Sequence, residues 1–156
     1  MRFTSLFIAS LSLAAVACTD AGSATPEQHQ LDSALQTYES HDPEAYSFIY
    51  KRSCGECDPV SVHPIRINVS NDTITSATYV ETEAAVPTQV AVNLRTLRGL
   101  FDTVQTLIDQ GAASVVVTYD TELGYPKQAS FDPIAEAVDD EWGFSVSQFS
   151  AGAPNQ

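Results

Sequence analysis

Positive charge is scarce in this chain: seven Lys and Arg stand against 20 Asp and Glu, a formal net charge of −13. Binding a phosphate backbone takes clustered Lys and Arg. The bases after Arg2 (Lys51, Arg52, Arg66, Arg95, Arg98 and Lys127) are instead scattered along the sequence, which excludes nucleic acid as the expected partner. The acidity favours solubility first and cation binding second. Long apolar runs are missing too. The longest, Phe3 to Ala17, is shorter than the roughly 20 residues that cross a bilayer, so no membrane span is expected.

The motifs of common catalytic sites are also absent. Neither G-x-G-x-x-G nor G-x-x-x-x-G-K-[ST] occurs to cradle a phosphate, and no G-x-S-x-G marks a nucleophile elbow. Of the three histidines, His29 and His41 flank the first predicted helix and His63 precedes Pro64, and each reads as a surface residue before it reads as a base. No catalytic constellation emerges, and the expectation is a protein that is not an enzyme.

What is present at the start is an address. Met1-Arg2 followed by a short apolar stretch is a signal peptide over residues 1–17. Its end, Ala15-Val16-Ala17-Cys18, resembles a bacterial lipobox, although Leu is usual where Ala15 stands. Lipid attachment at Cys18 is therefore expected, giving an exported protein anchored in the cell envelope by lipid alone. The same small residues suit ordinary secretion, so a soluble secreted or periplasmic protein is the alternative. Residues 18–27 read as a lipidated Cys and a small, polar, flexible tether, residues 28–150 as one folded domain, and 151–156 as a disordered tail.

Within the domain, Leu31, Ala34, Leu35 and Tyr38 recur at helical spacing between Gln28 and Glu39, ended by His41-Asp42-Pro43. Tyr46, Phe48 and Tyr50 alternate with polar neighbours as a strand, and so do Ile65, Ile67 and Val69. Asn71-Asp72 supplies a tight turn into a third strand, Thr73 to Glu81, and a loop occupies 84–88. Leu94, Leu97, Leu100, Phe101, Val104, Leu107 and Ile108 form the stripe of a long helix from about Leu94 to Gln110, with Asn93 as cap and Gly111 as stop. Strands follow at Ser114–Tyr119, Lys127–Phe131 and Trp142–Val146, with a helical turn expected from Asp132-Pro133 to Val138. The order α-β-β-β-α-β-β-β with short links predicts an α+β fold, an antiparallel sheet of about six strands with two helices on one face. Its two similar halves suggest a weak duplication.

Two residue groups could carry chemistry. With Cys18 lipidated, Cys54 and Cys57 remain as a pair that an oxidising envelope would close as a disulfide, contributing about 2 kcal/mol over so short a loop. A thioredoxin-like redox pair would precede a helix in a βαβ unit, whereas an extended segment is expected after Cys57. Zinc on Cys54, Cys57, His63 and a carboxylate lacks a second Cys pair, and haem attachment fails because Asp58 follows Cys57. The other group is acidic. Asp120, Glu122, Asp132, Asp139, Asp140 and Glu141 could converge from neighbouring loops on Ca²⁺, although their spacing is not that of an EF-hand. Caps, turns and solvated surface account for the same residues.

Tyr46-Ser47-Phe48, Arg52-Ser53-Cys54 with Cys57, the Ile65–Val69 strand, Leu100-Phe101, Val117-Thr118-Tyr119-Asp120, Gly124-Tyr125-Pro126, Asp132 and Asp139-Asp140-Glu141 together resemble a bacterial family known as domain of unknown function 6174. The resemblance runs from about Tyr46 to Phe149 and departs at Asn71-Asp72, where Gly is common. It implies an envelope location and an α+β domain, and carries no catalytic residues. The expectation that closes the sequence reading is an envelope lipoprotein whose domain binds an envelope protein or cell-surface component, through the sheet face that its helices leave open.

Overall fold

Alternation of apolar and polar residues builds most of this molecule, a computed structural model that describes residues 24–41 and 43–152. Six strands form one antiparallel sheet: β1 (Ala45–Cys54), β2 (Ile65–Ser70), β3 (Thr73–Tyr79), β4 (Ser114–Tyr119), β5 (Pro126–Asp132) and β6 (Trp142–Ala151). Their order across the sheet is β3-β2-β1-β6-β5-β4, so each half is a meander and β1 pairs with β6 at the centre. The β2–β3 turn has Asn71 at φ 48° and Asp72 at φ 52°, the paired positive φ that matches the twist of a two-residue hairpin.

One face of the sheet is apolar. Tyr46, Phe48 and Tyr50 stand opposite Val69, Ile67 and Ile65, and Val146 stands opposite Tyr50. Two long helices cover this face, α1 (Pro26–His41) and α4 (Leu97–Asp109), with one-turn helices α2 (Pro59–Val62) and α3 (Thr88–Ala91) beside them. Leu31, Ala34 and Tyr38 of α1 and Leu97, Leu100, Phe101, Val104 and Leu107 of α4 join the strand residues in a single core cluster. The chain leaves β3 at one edge and enters β4 at the other, across five strand spacings or roughly 24 Å. The start of α4, Leu97, meets Tyr46 of central β1, and the helix packs on β4 and β5, so α4 serves the second part of this crossing.

The α+β antiparallel fold with its helices on one face is as expected, but several local details differ. Residues 1–17, Cys18 and most of the tether lie outside the described residues. Pro26 and Glu27 belong to α1, and Ala151 belongs to β6, so the folded part exceeds 28–150 at both ends. The long helix starts at Leu97: Thr96, not Asn93, caps it by accepting the Gly99 N–H at 3.1 Å. Leu94 continues the apolar stripe and is buried, but it sits in the loop before the helix. Asp132-Pro133 starts no helix. Asp132 ends β5, and only a turn follows, with Ala137 N–H donating to Ile134 O at 2.8 Å. Each half lays its strands in the same last-middle-first order across the sheet, β3-β2-β1 and then β6-β5-β4.

Candidate functional site

The 119–126 segment carries the most specific string of the sequence, and the structure gives it a packing role. Asp120 Oδ1 accepts the N–H groups of Glu122 (3.1 Å) and Leu123 (2.9 Å), and its own N–H donates to Tyr125 O (2.8 Å). Burial pushes the Asp120 carboxyl up, but those two N–H groups, Lys127 and the Tyr125 hydroxyl together hold it below its ordinary value. Gly124, at φ +78°, lies so close to α1 that an added Cβ would meet Ala34 O at 2.4 Å. Tyr125 is buried and stacks on Phe149, ring centroids 5.3 Å apart. This turn docks the β4–β5 hairpin under α1.

The other acidic candidates are spread out. Glu122, Asp139 and Glu141 are exposed. Asp140 Oδ2 accepts the Ile134 N–H at 3.1 Å, closing the turn after β5, while its Oδ1 and the Oδ1 of Asp132 are buried without a hydrogen-bond partner among the described residues. Among the described residues no three His, Cys, Asp or Glu side chains come together as an ion site. Neither the proposed Ca²⁺ ligands nor the zinc set of Cys54, Cys57 and His63 is therefore assembled. His63 instead packs edge-on against Tyr79, centroids 6.0 Å apart.

Cys54 and Cys57 form a disulfide with Cα atoms 5.6 Å apart. The segment after them is not extended as expected: α2 follows, with Asp58 Oδ1 capping it through the Val60 N–H at 3.1 Å. The reason is local, since Asp58-Pro59 is a cap residue followed by a proline in the first turn. The surroundings still differ from a βαβ redox motif, because β1 and β2 run antiparallel.

The disulfide loop and α2 form one wall of a cleft of about 270 Å³, facing α3 and the loop after it. Tyr50 and Arg52 line it with Cys57, Val60, Val90 and Leu94. Arg52 occupies an inward register position, in the cross-strand row of Phe144 and Ala129. Its guanidinium lies over Trp142, 5.2 Å from the ring centroid, and its buried Nε has no hydrogen-bond partner among the described residues. Burial pushes the Tyr50 hydroxyl up, and Arg52 and Arg95 oppose that rise. This cleft was missed from sequence because its walls come from segments about 30 residues apart. One signal was available: a charge at the fourth position of the apolar series Tyr46, Phe48, Tyr50.

The uncovered face of the sheet has a different composition. Cross-strand rows there read Arg66–Ile49–Ser147 and Lys51–Ser145–Gln128–Thr118. All six strands contain one acidic residue, Asp132, against Lys51, Arg52, Arg66 and Lys127. Carboxylates are thus concentrated in helices and loops. Among the described residues, no helix is long and apolar enough to cross a membrane.

Compared with known proteins, residues 30–151 match the model of a family of unknown function, DUF6174. The chain belongs to this family. The match takes in α1 from Gln30 onward and every strand of the sheet, so the DUF6174 region spans nearly all of the folded domain. No curated protein and no solved structure matches the chain. Membership of DUF6174 brings no assigned activity, and any function has to be argued from the surfaces above.

Proposed function

We propose that this chain is an exported bacterial envelope protein, anchored by lipid on Cys18, whose domain is a non-enzymatic binding module. Its partner is an envelope protein that presents an acidic surface to the open sheet face. One observation carries the reading: in a chain of net charge −13, the strands hold a single carboxylate, and Lys51 and Arg66 stand on the uncovered side. Such segregation lowers the repulsion that an acidic partner would otherwise meet and steers its approach. Ser145, Ser147 and Thr118 add short hydrogen-bonding side chains that lose little entropy on contact, and Gln128 adds a longer carboxamide.

The test uses the full-length protein in native membranes, with a photo-crosslinking residue at exposed Ser147 on the open face or, as control, at exposed Thr106 on α4. A discrete adduct from position 147 that disappears in Lys51→Glu/Arg66→Glu is expected. Equal adducts from both positions, or none from 147, refute the reading. Intact mass of the same preparation tests the anchor: a diacylglycerol adduct on Cys18 is expected, and an unmodified chain would place the protein in the soluble envelope instead.

A thiol redox role for Cys54 and Cys57 has one supporting observation, that Cys57 lines the cleft and is accessible from it. A reduction potential separates the two readings, as argued below.

A further inference from the structure

We propose that the cleft between the disulfide loop and α3 is a binding site for a small organic carboxylate, with Arg52 as the anion-binding group. This goes beyond the protein-binding face, which lies on the other side of the sheet. The site mixes apolar surface with polar groups that could orient a small ligand. Val60, Val90 and Leu94 supply the apolar surface, and Gln89 and Asn93 stand at the α3 side as hydrogen-bonding carboxamides.

Arg52 is prepared for an anion in three ways. It points inward among apolar neighbours, at Phe144 and Ala129. Trp142 holds its guanidinium plane through a cation–π contact, 5.2 Å from the ring centroid. Arg52 also lines the cleft, and a planar guanidinium carries the paired N–H donors that a carboxylate fits. The one carboxylate among the lining residues, Asp58, is already engaged as the cap of α2. It places negative charge at the α2 wall, so an anion is directed toward Arg52 and a dianion is disfavoured. The disulfide holds the α2 wall to the end of β1 and fixes the width of the cleft.

Trp142 is the only tryptophan of the chain, so its fluorescence reports on the Arg52 side chain directly. The probes are benzoate and its neutral analogue benzamide, titrated into the full-length protein with the disulfide intact. Benzoate should change the Trp142 emission saturably with a Kd of about millimolar, as befits a fragment. Benzamide should bind about tenfold more weakly or worse, for want of the charge-assisted pair. Amide shifts in the ¹H–¹⁵N spectrum should be confined to the cleft walls. Arg52→Gln should weaken benzoate by about tenfold or more, and Val60→Phe, which narrows the cleft and leaves Arg52 and the single tryptophan in place, should abolish binding. Absence of a saturable benzoate response up to about 50 mM, far above such a Kd, overturns the proposal. So do equal responses to benzoate and benzamide, or benzoate binding unchanged in Val60→Phe. That last variant decides the matter if Arg52→Gln fails to fold.

Discussion

Gly124 of the β4–β5 turn lies against the backbone of α1, where a methyl group on its Cα would be 2.4 Å from Ala34 O and 2.8 Å from Tyr38 N. Both neighbours are helix backbone and cannot turn aside. Gly124→Ala should therefore destabilise the domain by about 2–4 kcal/mol, combining a positive φ of +78° with overpacking. Urea unfolding measures this, and a loss below about 0.5 kcal/mol, the range of neutral surface changes, would show that α1 is free to move away. The Gly124-Tyr125-Pro126 string is accordingly explained by packing, since Pro126 is also fully buried.

How far the sequence could be read follows from which interactions are local. Period-2 alternation located β1, β2 and β6, β-branched residues located β4, hairpin pairing located β3 and β5, and the Asn71-Asp72 turn was legible because its chemistry lies in two adjacent residues. The start of α4 was not, because Leu94 is buried by tertiary contacts and so extends the apolar stripe beyond the helix. Asp132-Pro133 misled for a similar reason: the same residues that open a helix can also end a strand, and pairing of Asp132 with Ser114 decided for the strand. The cleft could not be read at all, since Arg52 and Leu94 meet only through folding. The acidic residues of 120–141 were legible one by one, as turn former and cap, and their failure to converge depends on loop paths that no spacing rule encodes.

Tyr46 joins β1 to the start of α4. Its hydroxyl oxygen accepts the Leu97 N–H at 3.1 Å, in a buried position, and so satisfies one of the N–H groups that a helix start leaves unpaired. Tyr46→Phe should cost about 1–3 kcal/mol, the penalty for a buried donor left without an acceptor. Hydrogen exchange at Leu97 should accelerate with it. Thr96→Ala removes the neighbouring cap and should cost about 1 kcal/mol. The two sites touch, so the double variant should deviate from additivity, and a strictly additive cycle would show that the two bonds act independently.

The Cys54–Cys57 disulfide closes a loop with a sequence separation of three. Replacing both cysteines by serine should cost only about 2 kcal/mol, and the domain should remain folded. A structural bridge should have a reduction potential below about −300 mV. A value near about −200 mV, within the range of disulfide exchange catalysts, would instead favour the redox reading. Equilibration with a glutathione buffer, read by alkylation and mass, gives the number.

Four of the six tyrosines are held above their ordinary value, chiefly by burial: Tyr46, Tyr50, Tyr119 and Tyr125. Tyr119 is moved to about 12, by burial first and then by the Asp32 carboxylate of α1. A folded-state value above the unfolded one of about 10 means that the native state binds the phenolic proton more tightly. The resulting stability is fully present below about pH 10 and is lost as the pH rises toward about 12. Unfolding free energy measured by urea across that window should therefore fall with pH, while tyrosinate absorbance of the native protein lags behind that of free tyrosine. Tyr119→Phe removes one such proton and should make the alkaline slope shallower, and Asp32→Asn should let Tyr119 ionise at lower pH. An alkaline slope identical in wild type and Tyr119→Phe would mean that Tyr119 faces water, and would contradict its stacking on Phe101 at 6.0 Å.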